Sequence, residues 1–282
     1  MIIAVVAASL LISAIGAYGF FIERGRLRIV RHTIRSPRIP PSFDGVTIAQ
    51  FSDIHLSPAY SLKRLGKLVE AVNSLHADLV VFTGDLHDAR RNDNIAKYDP
   101  SPLLARIQAR LGKFAVYGNH DFGYERKLRS SGAFLSRGGF SVLINSTQRI
   151  EHTDGDYITI SGLDDYVLGK PNAAKTIARL EDDRFHVLLV HEPDMADRLI
   201  RYPIDLQLSG HSHGGQVRLP LLGPLVRTKL GSKYVGGMYR IGGRHRDKRP
   251  YRLYVNRGIG TTRIPIRLFC APELTVFTLR RE

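Results

Sequence analysis

The chain has 282 residues, 43% of them hydrophobic, enough for one large α/β domain or two small ones. Lys and Arg number 41 against 26 acidic residues, a net charge of +15 that favours anionic partners: nucleic acid, acidic lipid headgroups or phosphorylated substrates. The single cysteine, Cys270, excludes an intramolecular disulfide and any cysteine-based zinc site, so a metal here must be held by His, Asp, Glu or Asn.

The first 22 residues, MIIAVVAASLLISAIGAYGFFI, carry no charged side chain. About 20 apolar residues span a bilayer, so this run predicts a transmembrane helix. A cleaved signal peptide is the competing reading, weaker because no Lys or Arg precedes the run; a buried helix of a soluble domain is a third. Arg24, Arg26, Arg28, Arg31, Arg35 and Arg38 follow. The positive-inside rule keeps such a flank in the cytoplasm, which predicts a single-pass protein of the inner or plasma membrane with its main domain on the cytoplasmic side. RLRIVRHTI also alternates like a strand, which would make some of these arginines its solvent face. SPRIPPSFDG (36–45) is rich in Pro and turn formers and reads as a linker or loop. The expected organisation is a membrane helix at 1–22, a basic linker with a first strand at 23–45, and the main domain at 46–282.

Apolar runs then alternate with helical patterns. VTIAQF reads as a buried strand, LKRLGKLVEAVNSL (62–75) as an amphipathic helix, DLVVFTGD as a second strand, PLLARIQARLG (102–112) as a second helix, KFAVYGNHD as a third strand and YERKLRSSGAFLSRGG (124–139) as a third helix. This is the βαβ rhythm of a largely parallel sheet. Short strands follow from FSVLIN to YITISGLDD, then the helix AAKTIARL, the strand RFHVLLVHEPD, the short helix DMADRLI, and IDLQLSGHSHGGQVRLP as strand, loop, strand. YRLYVNRG and ELTVFTLRR make the end mostly β.

Polar residues recur at the ends of five of these strands: Asp53 and His55, Asp85, Asn119 and His120, His191, then His211 and His213. In open α/β sheets that is where ligands bind. Two histidines one residue apart on an exposed strand would ordinarily be solvated polar residues. Here Gly210, Gly214 and Gly215 crowd the loop and allow backbone and imidazoles to approach a bound group. In Asp53-x-His55 and His211-x-His213 the side chains at i and i+2 share a face and can reach one ion or two neighbouring ions. A carboxylate such as Asp85 can bridge two metals roughly 3.5–4 Å apart. An N/O donor set without thiolate suits Mn²⁺, taken first, or Fe or Zn²⁺.

In order along the chain, SDIHL, GDLHD, GNHD, HEPD and SGHSHGGQ resemble the five-part motif set of the calcineurin-like metallophosphoesterases, and the resemblance covers roughly residues 46–280. It implies a sandwich of two mixed β-sheets flanked by helices. It implies that Asp53, His55, Asp85 and His213 hold one divalent metal and that Asp85, Asn119, His191 and His211 hold the other. His120 would serve the leaving-group oxygen, with Asp121 steering its imidazole. Two cations neutralise phosphoryl oxygens and lower the pKa of a bound water; the leaving oxygen then needs a proton or a cation, and His120 fits that role. The apolar N-terminus with HEPD and SGHSHGGQVRLP is similar to the branch that includes phosphodiesterases and UDP-diacylglucosamine pyrophosphatases of lipid A synthesis. That implies a phosphate ester or anhydride substrate, lipid-linked in the sharpest form, on a membrane with anionic lipids. Two rivals stand beside it. The +15 charge motivates a nuclease or soluble-nucleotide phosphodiesterase. A non-catalytic scaffold is opposed by the complete ligand set.

His87 and Asp88 are open between touching substrate and orienting their loop. Asp164 and Asp165 read as turn caps. His32, His76, His152, His186 and His245 read as surface or packing residues, and Cys270 as buried. The basic stretch 227–257, with Arg227, Lys229, Lys233, Arg240, Arg244, Arg246, Lys248, Arg249, Arg252 and Arg257, is by default a solvated face, with a rim facing the metals as the alternative. The interleaved Tyr234, Tyr239, Tyr251 and Tyr254 leave single-strand stacking open but unsupported.

Overall fold

The computed structural model describes residues 1–88, 98–122, 131–242 and 249–282. In chain order the strands are β1 (Arg28–Ser36), β2 (Thr47–Phe51), β3 (Leu79–Phe82), β4 (Lys113–Ala115), β5 (Ser141–Val142), β6 (Ser146–Glu151) and β7 (Tyr157–Gly162). They continue as β8 (His186–Leu189), β9 (Leu206–Ser209), β10 (Arg218–Leu219), β11 (Gly223–Pro224), β12 (Gly237–Ile241), β13 (Tyr251–Val255) and β14 (Glu273–Arg281). One six-stranded sheet runs β1-β14-β2-β3-β4-β5 and a second β12-β13-β9-β8-β7-β6, each with parallel strands at its centre. β3 (LVVF) and β8 (HVLL) are largely apolar runs, β9 (LQLS) alternates, and all three are buried at every residue. Parallel strands covered on both faces favour apolar runs.

Ile48, Val81, Leu189 and Leu208 meet between the two sheets in one apolar cluster. On the outer face of the first sheet lies α2, the second helix in the chain (Leu62–Asn73), which buries Leu65, Leu68, Val69 and Val72. That spacing is one helical face, and each such side chain contributes about 1.5–3 kcal/mol on burial. Leu188, Val190 and Leu199 build the matching cluster outside the second sheet. Register levels the strand ends: Phe51 pairs with Phe82, Phe82 with Ala115, and Leu189 with Leu208. The loops that follow therefore leave the sandwich side by side.

Several local expectations change. The segment 102–112 is helical only over Ser101–Leu104, although Ile107 is still buried. Segment 36–45 is a loop with a short turn over Pro41–Phe43, and it is packed into the fold: Ile39 and Phe43 are fully buried in the inter-sheet core. Of the third predicted helix, Gly132–Arg137 is helical, and 124–130 lies outside the described residues. β1 pairs in parallel with β14 over nine residues and exposes Arg31 and Arg35 while burying Ile34, so these two arginines are on the solvent side of a strand, and Arg28 is exposed at its start. The N-terminal helix α1 (Ile2–Ala17) continues through short turns to Gly25. It is exposed along nearly its whole length and at about 36 Å is long enough to cross a bilayer, a candidate membrane span.

Candidate metal centre

The expected ligands converge at the C-terminal edge of both sheets. Asp53, His55, Asp85 and His213 form one group able to hold a cation, and Asp85, His191 and His211 another. Asp85 belongs to both: its Oδ2 lies 3.4 Å from His55 Nε2 and 3.3 Å from His191 Nε2. His213 Nε2 stands 3.0 Å from His55 Nε2 and 3.3 Å from Asp53 Oδ1. Donor atoms on one ion with bonds of about 2.1 Å sit roughly 3.0–3.4 Å apart, the spacing seen here.

The backbone is forced to make this arrangement. Asp53, His55, Asp85, His211 and His213 all have φ between 48° and 66°. Left-handed backbone costs a non-glycine residue about 1 kcal/mol or more, and such costs gather at functional sites. Gly118 and Gly210 supply the closest approaches: a Cβ on Gly118 would lie 2.3 Å from Asp85 Oδ1, and one on Gly210 2.4 Å from Asp53 Oδ2.

Protonation follows from burial and neighbours. Burial, reinforced by the neighbouring histidines, holds His55 and His211 down at about 3 and His213 well below its usual range. Neutral imidazole is the ligand form. Burial also works against a charge on His191, but the Asp85 carboxylate overcomes it and raises that histidine well above normal. Burial lifts Asp53 to about 6, whereas in Asp85 the adjacent His191 and His120 outweigh burial and hold the carboxyl well below its ordinary range. Outer hydrogen bonds set the tautomers. His191 Nδ1–H donates to Thr83 O at 2.6 Å and His211 Nε2–H to Lys229 O at 2.7 Å. Each ring thus turns its other nitrogen to the site, as a lone pair in His211 and, once a cation takes the place of the proton shared with Asp85, in His191 as well.

Residues of this kind fit a pair of divalent cations. Among the described residues the buried Asn119 Oδ1 has no hydrogen-bond partner, and His191 Nε2 faces only the Asp85 carboxylate. Asp53 and Asp85 are likewise buried, and an uncompensated buried carboxylate costs several kcal/mol. Asn119 joins Asp85, His120, His211 and His213 in the wall of a cavity of about 580 Å³.

His120 stands at this cavity, its ring 4.7 Å from that of His55. The expectation that Asp121 steers it is corrected. The Asp121 carboxylate accepts the backbone N–H groups of Asp85, Leu86 and Gly118 at 2.8–2.9 Å, bracing the two ligand loops. Asp88 meets His120 Nδ1, at 2.8 Å. His87 lies between Ser131 Oγ and Tyr98 O, so it orients its loop. Asp164 and Asp165 accept turn N–H groups, as caps do.

The basic stretch divides. Arg227 and Lys229 line the cavity with Arg263 and Thr262, which the sequence reading did not single out. Lys233 pairs with Asp197 on the surface, Arg249 with the buried Asp205, and Arg257 with Glu273. Arg244, Arg246, Lys248 and His245 lie outside the described residues. Tyr234, Tyr251 and Tyr254 are buried, which removes them as a stacking platform for exposed bases. Arg267 was also missed. Fully buried, it donates to the carbonyls of Gly260, Arg257 and Cys270, while Gly260 N–H donates to Asp53 O at 2.7 Å. It braces the Asp53 loop; its signal in sequence was a charge inside the apolar run IPIRLFC.

Fold and site together define a metal-dependent phosphoesterase with clustered His/Asp metal-binding residues. The calcineurin-like phosphoesterase family matches residues 46–215, and the chain belongs to that family. It is 43% identical over 274 residues to an uncharacterized metallophosphoesterase, YkuE, of Bacillus subtilis (strain 168), covering 95% of this chain and 92% of that one. It is 28% identical to phosphodiesterase YaeI of Escherichia coli (strain K12), over 97% and 96% of the two chains. It is also 28% identical to the UDP-2,3-diacylglucosamine pyrophosphatase LpxG of Chlamydia muridarum (strain MoPn / Nigg), over 90% of each.

Proposed function

We propose that this chain is a dinuclear hydrolase of phosphodiester or pyrophosphate bonds in amphiphilic, nucleotide-linked lipids of the UDP-diacylglucosamine kind. In this reading it works from a single-pass anchor at residues 1–22, with residues 46–282 on the cytoplasmic side of the inner or plasma membrane. The observation that carries the reading is the Asp85 carboxylate, shared by two buried donor groups. Asp53, His55, Asp85 and His213 hold one ion; Asp85, Asn119, His191 and His211 hold the other. Mn²⁺ suits this thiolate-free set. When bound, two such ions neutralise phosphoryl oxygens and render a water nucleophilic at neutral pH.

The chain's own residues do the rest. Asp88 accepts from His120 Nδ1–H and its charge favours the imidazolium, whose Nε2–H is then the proton for the departing oxygen. Arg227, Lys229 and Arg263 at the cavity mouth bind the second phosphate of an anhydride. The pyrophosphatase and phosphodiesterase relatives support this substrate range.

Elemental analysis of the full chain, paired with turnover of bis(p-nitrophenyl) phosphate and of UDP-diacylglucosamine in mixed micelles, tests the proposal. Two equivalents of divalent metal are expected, with activity lost to chelation and restored by Mn²⁺. Turnover untouched by chelation would overturn the dinuclear reading. Hydrolysis of the soluble diester but never of the lipid would overturn the substrate.

A further inference from the structure

Beyond residue 22, the described chain exposes seven large hydrophobic side chains, and five of them lie in two short segments. Leu221, Leu222 and Leu225 belong to the β10–β11 hairpin and its exit; Ile264 and Phe269 belong to the segment before β14. Leu221 is 108% exposed, and it also holds φ at 66°. A turn chosen only for folding would place Gly or Asn there. A left-handed leucine kept fully in water is costly twice over, so its side chain needs another explanation than local stability.

The two segments are one surface. Val217 bridges Leu268, and Arg218 N–H donates to Leu268 O at 2.9 Å. The same surface is fastened to the end of the N-terminal helix. The buried Glu23 carboxylate accepts the N–H groups of Phe269 and Cys270 at 2.9 and 2.7 Å, and Arg267 N–H reaches Gly19 O. It also borders the catalytic cavity directly. Leu225 is two residues before Arg227, and Ile264 follows Arg263, both in the cavity wall. Cations lie along it: Arg218 at the hairpin base, Arg227 and Arg263 in the catalytic cavity wall, and Arg24, which donates to Pro265 O and lines a second cavity of about 350 Å³ at the helix end with Arg64 and Lys67.

We propose that the Leu221–Leu222 hairpin tip, with Leu225, Ile264 and Phe269, inserts into the acyl–headgroup boundary of the membrane that the N-terminal helix spans. The catalytic mouth then sits at headgroup level. The proposal rests on the reading of residues 1–22 as a membrane span. The occupant is the bilayer because the patch is continuous with the helix end and has cations along it that suit anionic headgroups. Apolar tips with a basic collar are the pattern of interfacial insertion. The consequence for function is access: a lipid-linked phosphate reaches Arg227 and Arg263 by lateral diffusion, its acyl chains remaining in the bilayer.

The chain contains no tryptophan, so single probes report local depth. Full-length Leu222→Trp, Phe21→Trp and Ile144→Trp, the last placed between β5 and β6 at the opposite sheet edge from β1, are reconstituted in phosphatidylcholine–phosphatidylglycerol vesicles containing acyl-brominated lipid. Blue-shifted, bromine-quenched emission is expected from Phe21→Trp and Leu222→Trp, and unquenched emission from Ile144→Trp. Quenching of Phe21→Trp without Leu222→Trp overturns the proposal and leaves the membrane span standing. Quenching of neither overturns both. Equal quenching at Ile144 and Leu222 overturns a specific contact. In the same vesicles, Leu221→Asp with Leu222→Asp should lose about tenfold or more in turnover of an acyl-anchored nitrophenyl phosphodiester, the cost of placing two carboxylates at the bilayer surface. Turnover of soluble bis(p-nitrophenyl) phosphate should hold; equal loss on both substrates also overturns the proposal.

Discussion

Between the sheets, Val81, Leu189 and Leu208 stand in regular strands with every apolar atom covered. Two or three residues past the strand ends, Asp53, Asp85 and His211 stand in left-handed backbone with polar atoms turned on one another. The same strands run through both regions. In the first, shape and volume decide which residue fits. In the second, charge and direction decide, and local stability is given up. The lesson is that stability and chemistry are carried by adjoining stretches of the same strands, and the two can be broken separately.

The sharpest break removes the shared carboxylate. Asp85→Ala should leave the fold intact, release metal from both groups, and cost several kcal/mol of transition-state stabilisation, a loss of about 10³-fold or more in turnover. Thermal unfolding alongside metal analysis checks this. A variant that keeps both metals and near-normal turnover contradicts the bridge.

His120→Ala should spare the metals and slow poor leaving groups by about 10²–10⁴-fold. The loss should shrink for a nitrophenolate, which departs without a proton. Equal losses across leaving groups would remove His120 as the acid.

The opposite break lies in the core. Leu208→Ala removes a fully buried side chain between the sheets and should cost about 2–5 kcal/mol in chemical denaturation. The folded fraction should keep its metal content and its kcat. A drop in kcat matching the stability loss would show that core and crown are not separable.

Asp88→Asn sharpens the crown itself. Loss of the charged acceptor on His120 Nδ1 should lower kcat about 10–100-fold at unchanged KM. Combined with His120→Ala it should add nothing, because the two act as a unit.

What was legible in the sequence divides along the same line. The residues that the structure gathers into the two donor groups were readable because His and Asp have little reason to recur where five buried strands end, and because motif order fixes which loops meet. The partner of His120 was not readable. Asp121 is its neighbour in sequence, but that carboxylate accepts three backbone amides of the ligand loops, and Asp88 arrives from another loop. Ile39 and Phe43 were hidden in a Pro-rich segment whose composition signals a turn, while their burial depends on β14 and the second sheet, far along the chain. PLLARIQARLG has the spacing of a helix, yet the chain leaves it after Leu104, with Leu111 N–H donating to Asp78 O and Asn73 capping Gln108. Tertiary partners override local pattern in each case.

The finest test uses two histidines from one stretch of chain. His191, just past the C-terminal end of β8, turns its buried Nε2 to the shared Asp85 carboxylate of the site. His186, at the strand's start, is satisfied on both sides. Its Nε2–H donates to Glu181 O, so its Nδ1 accepts the Thr159 hydroxyl. Burial lowers its pKa, outweighing the Glu181 carbonyl, which favours the charged ring. The folded ring therefore stays neutral to a lower pH than the unfolded one, whose pKa is about 6.5. Between those values the unfolded chain binds a proton that the fold refuses. The His186 contribution to stability is thus complete above the unfolded value and is eroded as pH falls below it. Tm of the parent and of His186→Gln at pH 7.5 and 5.5 should show the parent's advantage shrinking at the lower pH. An unchanged difference would mean that His186 does not gain a proton on unfolding. It would also mean that a core histidine, like an apolar core residue, contributes only by packing.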